Sequence, residues 1–216
     1  MQGADLAAIP PMTKDDLRRN FNAILRASDV SRDLAETRLD GLTGDAYLLD
    51  HYHVVASGGS SGVRGVFLFD WDGWLMCALT NIRFRARARP LWDRTQRCAG
   101  VIAGGKASHM GYAMAQTFSR SMGSLPATLP IHEMVARLNA LQPAILSGYP
   151  SSLFSFASDA RKGRLSIHPR LVMCASEPLL PEMHHRIEDV WSFRVINSYF
   201  TSEGASASDC GAGRGG

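Results

Sequence analysis

Pro130-Ile131-His132-Glu133-Met134-Val135-Ala136-Arg137-Leu138-Asn139-Ala140-Leu141, followed by Ala144-Ile145-Leu146, sets two hydrophobic periods side by side. Ile131, Met134, Val135, Leu138 and Leu141 share one face of a helix, with Pro130 read at its first position, where a missing N–H costs nothing. Ala144-Ile145-Leu146 is a short apolar run and reads as a strand. The alternation continues with a helix carrying Leu153, Phe154 and Ala157, then the strand Leu171-Val172-Met173-Cys174. A helix striped by Met183, Ile187, Val190 and Trp191 and the strand Arg194-Val195-Ile196 complete it. Short apolar strands separated by amphipathic helices are those of a sheet covered on both faces. The expected class is α/β, a mixed or parallel sheet flanked by helices.

Toward the N-terminus, Thr13 with Asp16 reads as a capping box opening a helix striped by Leu17, Phe21, Ile24 and Leu25. His53-Val54-Val55-Ala56 and Val66-Phe67-Leu68-Phe69 read as strands joined by a Gly/Ser-rich loop. Asp70 or Asp72 then caps a helix whose stripe is Trp74, Leu75, Ala78, Leu79 and Ile82. Arg83, Arg85, Arg87 and Arg89 read as its solvated, dipole-compensating end. Cys98 to Ala103 is a further strand, and Met110, Met114 and Phe118 mark a further helix. Residues 204–216 are small and polar and read as a frayed tail.

With 216 residues, 45% of them hydrophobic, the chain can bury a core and is neither disordered nor collagen-like. Its 23 basic and 20 acidic residues leave a formal charge of +3, which calls for neither nucleic acid nor an anionic membrane. The four cysteines, Cys77, Cys98, Cys174 and Cys210, lack C-x-x-C or zinc spacing and suit reduced thiols. Met1 to Asp5 lacks a secretory leader's pattern, and no apolar run approaches the ~20 residues of a membrane span, so the expected setting is the cytoplasm.

The run Ser57-Gly58-Gly59-Ser60-Ser61-Gly62 admits three readings. Gly58-x-Ser60-x-Gly62 fits the nucleophile elbow of a serine hydrolase, but an elbow needs a following helix and Val66 to Phe69 is strand-like. A loop wrapping phosphate would use the close backbone approach of glycine and the serine hydroxyls. An ordinary flexible turn has the same composition. Gly100-Val101-Ile102-Ala103-Gly104-Gly105-Lys106 imitates a Walker loop, yet Ala107 stands where Ser or Thr would hold magnesium. His184 and His185 are adjacent on a helix and cannot face one metal, so no histidine cluster is expected. Asn197-Ser198-Tyr199-Phe200-Thr201-Ser202-Glu203 follows an apolar strand, where open α/β sheets bind ligands. A polar loop is the alternative there.

In order along the chain, these pieces resemble the adenylate-forming superfamily, and within it the phenylacetate–CoA ligase-like branch. Ser57 to Gly62 is similar to its phosphate loop, Ala175-Ser176-Glu177-Pro178 to its adenine-lining segment, and Tyr199-Phe200-Thr201-Ser202-Glu203 to its Tyr-Gly-x-Thr-Glu motif. Ser147-Gly148-Tyr149-Pro150-Ser151 and Pro11-Met12-Thr13-Lys14-Asp15-Asp16-Leu17 resemble tracts of this branch. The resemblance implies ATP-dependent, AMP-forming activation of a carboxylic acid, followed by transfer to coenzyme A. It assigns Ser57, Gly58, Gly59, Ser60, Ser61 and Gly62 to the phosphates, and Ser176, Glu177, Pro178, Ser198 and Tyr199 to the adenine end. Ser202 would contact the α-phosphate, Glu203 would bind magnesium, and Arg64 would supply the missing charge, since Arg64 and Gly65 stand where many members carry proline then lysine or threonine. His109, Met110, Tyr112 and Tyr149 would line the pocket of a small carboxylic acid, aryl by the branch resemblance.

Two departures stand out: Phe200 replaces the motif's glycine and Ser202 its threonine. The resemblance also implies that the chain is the middle of a ligase, with residues 1–203 a partial adenylation domain, 204–216 a tail, and the C-terminal lid absent. Apolar surface left at such ends would favour a homodimer. A truncated, non-catalytic nucleotide-binding module is the alternative reading.

Overall fold

The computed structural model describes residues 8, 10–42, 47–57, 63–87, 98–102, 109–118, 122–192 and 195–209. Three N-terminal helices, α1 (Lys14–Arg19), α2 (Phe21–Ile24) and α3 (Arg32–Asp40), precede an antiparallel hairpin of β1 (His53–Ala56) and β2 (Val66–Phe69). Then come α4 (Trp71–Arg87), β3 (Cys98–Ile102), α5 (Met110–Phe118), β4 (Met122–Pro126), α6 (Ile131–Leu141) and β5 (Ile145–Gly148). The chain continues with α7 (Pro150–Arg161), β6 (Leu171–Ala175), α8 (Pro181–Trp191), β7 (Val195–Phe200) and β8 (Ser206–Ser208).

The second sheet has the order β4-β3-β5-β6-β7-β8, with β3 to β7 parallel and β8 antiparallel at the edge. From β3 the chain steps one way to β4 and thereafter the other way, so the direction reverses between β3 and β5. Side chains alternate across the pleat. Ala99, Val101, Leu146, Val172, Cys174 and Val195 pack one face against Met134, Leu138, Leu153, Phe156, Ile187 and Trp191 of α6, α7 and α8. Cys98, Ile145, Leu171, Met173 and Ile196 form the other face. The alternation of short apolar runs and striped helices thus builds the expected α/β class. Pro150 and Pro181 open α7 and α8 at their first turns, whereas Pro130 stands just outside α6 as its N-cap.

Several local expectations change in three dimensions. The capping box forms, with Asp16 N–H donating to Thr13 Oγ1 at 3.1 Å and Thr13 N–H to the Asp16 carboxylate at 3.0 Å. The helix it starts does not run on to Leu25. Asn20 leaves helical geometry while its side-chain amide donates to the Asp16 carbonyl at 2.9 Å, so α1 ends and α2 begins afresh. Phe21 is buried, and Ile24 of the same predicted stripe is exposed. Asp70 is the cap of α4, accepting from Gly73 N–H at 2.8 Å. Helix α3 and strand β4 were not expected: α3 buries only Ala35 and Leu39, and β4 contains glycine, serine and proline at a sheet edge. The segment beyond Gly204 does not simply fray, because Ser206–Ser208 pairs with Ser198–Phe200.

Candidate functional site

Parallel pairing places the carboxyl ends of β3, β5, β6 and β7 along one rim, and the strand order reverses between β3 and β5, the position at which open α/β sheets bind ligands. At β5 the chain passes through Gly148, where a Cβ would stand 2.9 Å from the Val101 Cβ, and turns at half-buried Tyr149 into α7. At β6 it turns through Ser176, whose φ of 70° is a left-handed conformation uncommon for a residue with a Cβ. Glu177 then accepts a hydrogen bond from Ser151 N–H in the first turn of α7 at 3.2 Å. A carboxylate there meets both an unsatisfied N–H and the positive end of the helix dipole. Two segments singled out separately, Ser147 to Ser151 and Ala175 to Pro178, are therefore bonded to each other.

At β7 the expected loop is still strand as far as Phe200, and Tyr199 is 64% exposed. Ser198 is buried, and its hydroxyl donates to Ser208 Oγ at 3.2 Å. Thr201 closes a tight turn: its N–H donates to the Ala205 carbonyl at 2.9 Å and its Oγ1 accepts from Ala205 N–H at 3.2 Å. Gly204, at φ 92°, supplies the left-handed step of that turn and faces Phe69 and Cys77, which docks the turn on α4. Ser202 and Glu203 sit at its tip, Glu203 exposed. Asp209 clamps the hairpin base by accepting from Asn197 N–H at 3.1 Å.

The hairpin of β1 and β2 reaches the same rim through a parallel bridge between Ala56 and His109. Ser57 closes the foot of the Gly/Ser loop: its N–H donates to the Gly65 carbonyl and its Oγ accepts from Gly65 N–H, both at 2.9 Å. The loop is strand-bounded on both sides, so no helix follows to form a hydrolase elbow. Gly58, Gly59, Ser60, Ser61 and Gly62 lie outside the described residues. Arg64 points to α3, both terminal nitrogens lying 3.2 Å from Asp40 Oδ1, a partner that the sequence reading did not name. His109 Nδ1 accepts from Gly111 N–H at 3.2 Å, and burial pushes its pKa below the usual histidine value, which favours the neutral ring. Met110 packs near Val55, Trp74 and Ala113, and Tyr112 is half-buried beside it on α5.

Among the described residues, no three His, Cys, Asp or Glu side chains gather as a metal cage. Glu203, exposed at the tip of its turn, would offer a magnesium ion one carboxylate ligand. Also among those residues, no helix is long and apolar enough to cross a membrane.

As a sequence, the chain matches no protein-family model and no curated protein. As a structure, it is similar to 2-hydroxyisobutyryl-CoA ligase in the postadenylation state in complex with R3-HIB-AMP, at TM-score 0.55 and 22% identity over 90% of this chain and 39% of that one. The same ligase with 2-HIB-AMP and CoA in the thioesterification state gives TM-score 0.52 and 19% identity, covering 87% of this chain and 38% of that one. ATP-bound MatB from Rhodopseudomonas palustris gives 0.51 and 17%, covering 72% and 30%. The chain thus spans about two-fifths of the length of the first ligase, at 39%. At such identities the likeness is one of fold alone: the described residues share with part of these ligases a largely parallel sheet flanked by helices.

Proposed function

We propose that this chain is the nucleotide-holding part of an ATP-dependent, AMP-forming acid–CoA ligase of the phenylacetate–CoA ligase-like branch. One observation carries the reading: Tyr149, Ser176 to Pro178 and Thr201 to Glu203 leave adjacent parallel strands at one rim, and Glu177 is bonded to the start of α7. The fold shared with acyl-CoA ligases supports it.

In the reaction proposed, a carboxylate oxygen of the acid attacks the α-phosphorus of ATP, and the bond to the β-phosphate breaks to release pyrophosphate. The thiol of coenzyme A then displaces AMP. Such chemistry is mostly positioning and charge neutralisation. Ser57 to Gly62 would hold the outer phosphates by backbone N–H and hydroxyl groups, and Ser202 would donate to the α-phosphate. Ser176, Glu177, Pro178, Ser198 and Tyr199 would frame the adenine end. Buried Ser198 acts from behind, fixing β7 through Ser208. Magnesium, held by Glu203, supplies neutralisation of the phosphate charge. Arg64 serves the phosphates once released from Asp40. His109, Met110, Tyr112 and Tyr149 would line the acid's pocket, and the two phenol rings favour an aryl acid. A cytoplasmic setting accords with Cys174 as a buried thiol.

Calorimetric titration with ATP and magnesium tests the proposal, beside a Glu203→Ala variant. We expect binding by the chain, with affinity reduced at least about tenfold in the variant when magnesium is present and little changed when it is absent. A folded chain that takes up no nucleotide, or a variant indistinguishable from the parent with magnesium, overturns the reading.

A further inference from the structure

Among its described side chains, helix α4 buries one side only. Trp74 and Ala78 are in the core, whereas Trp71, Met76, Leu79 and Ile82 are 45%, 62%, 43% and 44% exposed. At 3.6 residues per turn the line facing directly away from the core runs through Asp72, Met76, Leu79 and Arg83, which span about 60° of the helix circumference. Their spacing, i, i+4, i+7 and i+11, is the heptad-like seam along which helices pack. The seam is apolar at its centre, acidic at its N-terminal end and basic at its C-terminal end, with Leu75 and Ile82 beside it.

This charge order selects the occupant. We infer that the α4 seam is a homodimer interface, in which a second copy of this chain lays its own α4 antiparallel about a two-fold axis. An isologous contact requires that if residue i meets residue j, then j meets i. A single register does this for both halves of the seam, because the residue numbers of Asp72 and Arg83 and those of Met76 and Leu79 have the same sum. Each Asp72 then faces Arg83 of the second copy, and each Met76 faces Leu79 of the second copy. Two ion pairs close the ends of one apolar patch. A parallel pairing would set Asp72 against Asp72 and Arg83 against Arg83 and is disfavoured.

Sedimentation equilibrium over a range of concentrations tests this, with circular dichroism confirming that each variant is folded. The parent chain should dimerise. Asp72→Arg and Arg83→Asp singly should each weaken the dimer by about tenfold or more, since symmetry converts two attractive contacts into two repulsive ones. Asp72→Arg with Arg83→Asp in one chain should restore it. Leu79→Glu should leave monomer. A parent chain that stays monomeric overturns the inference, and so does a dimer indifferent to Leu79→Glu. A dimer broken by Leu79→Glu but not rescued by the double charge exchange overturns the antiparallel register.

Discussion

Gly148→Ala and Gly123→Ala each add one methyl group to a neighbouring strand of the parallel sheet, and the two new Cβ atoms meet almost equal clashes. The first would stand 2.9 Å from the Cβ of Val101 and 3.3 Å from its Cγ2; the second would stand 2.8 Å from Cδ2 of Leu141. Their costs should nevertheless differ. The Val101 Cβ moves only with the backbone of β3, which β4 and β5 hold on either side. Carbon atoms prefer at least about 3.5 Å, so β3 and β5 must part by about 0.6 Å, the shortfall from 2.9 Å. Overpacking of this kind costs about 2–3 kcal/mol, and the reduced freedom of the unfolded chain offsets about 1 kcal/mol of it. We expect a net loss of about 1–2 kcal/mol for Gly148→Ala, a fall in Tm of about 2–8 °C for a chain of this size. The Leu141 methyl, by contrast, ends a half-buried flexible side chain and can rotate away. Gly123→Ala should stay within about 0.5 kcal/mol of the parent. Urea unfolding followed by circular dichroism, with m-values compared, measures both. Equal losses, or a larger loss for Gly123→Ala, would refute the reasoning from which neighbour can yield.

Three further outcomes follow from particular residues. Burial pushes the Cys174 thiol from 9.0 up to about 12, so between those values the folded chain holds a proton that the unfolded chain has lost. Unfolding free energy should therefore fall as pH rises above about 9, by at most about 1.4 kcal/mol per pH unit, and Cys174→Ala should lose that part of the slope; identical slopes would contradict it. Ser176→Gly relieves a left-handed φ of 70° and should leave stability unchanged or raise it by up to about 1 kcal/mol, whereas Ser176→Val should lower it; chemical denaturation reads both. Trp74 is fully buried, stacks on His53 at 4.2 Å and donates to Thr117 Oγ1 at 3.2 Å, so Trp74→Ala should cost about 3–5 kcal/mol by the same assay, and a loss below about 1 kcal/mol would deny it a core role.

The rim at the carboxyl ends was only partly legible along the chain. Each segment could be marked by composition: Gly and Ser for the loop, Pro150 for the start of α7, hydroxyls and a carboxylate after an apolar run for the β7 turn. What joins them depends on contacts far apart in sequence, such as Glu177 with Ser151, Arg64 with Asp40, and Ala56 with His109. No local pattern encodes these partners. Asp40 is an ordinary charge at the end of α3 until β2 lies beside it.

By itself the sequence determined the elements whose signal is local. Apolar runs such as Leu171–Cys174 must be buried on both faces, stripes such as Met134, Val135 and Leu138 must pack on them, and prolines and capping side chains mark where helices start. Only the tertiary structure decided what a residue does when its local signal is weak or divided. Strand β4 exists because β3 offers it a ladder, and β8 because β7 continues past Ile196; neither could bury enough apolar surface alone. The same holds for α4, where one periodic stripe is split between the core and the outside, because helical period records which residues are apolar and only the neighbours decide which of them are covered.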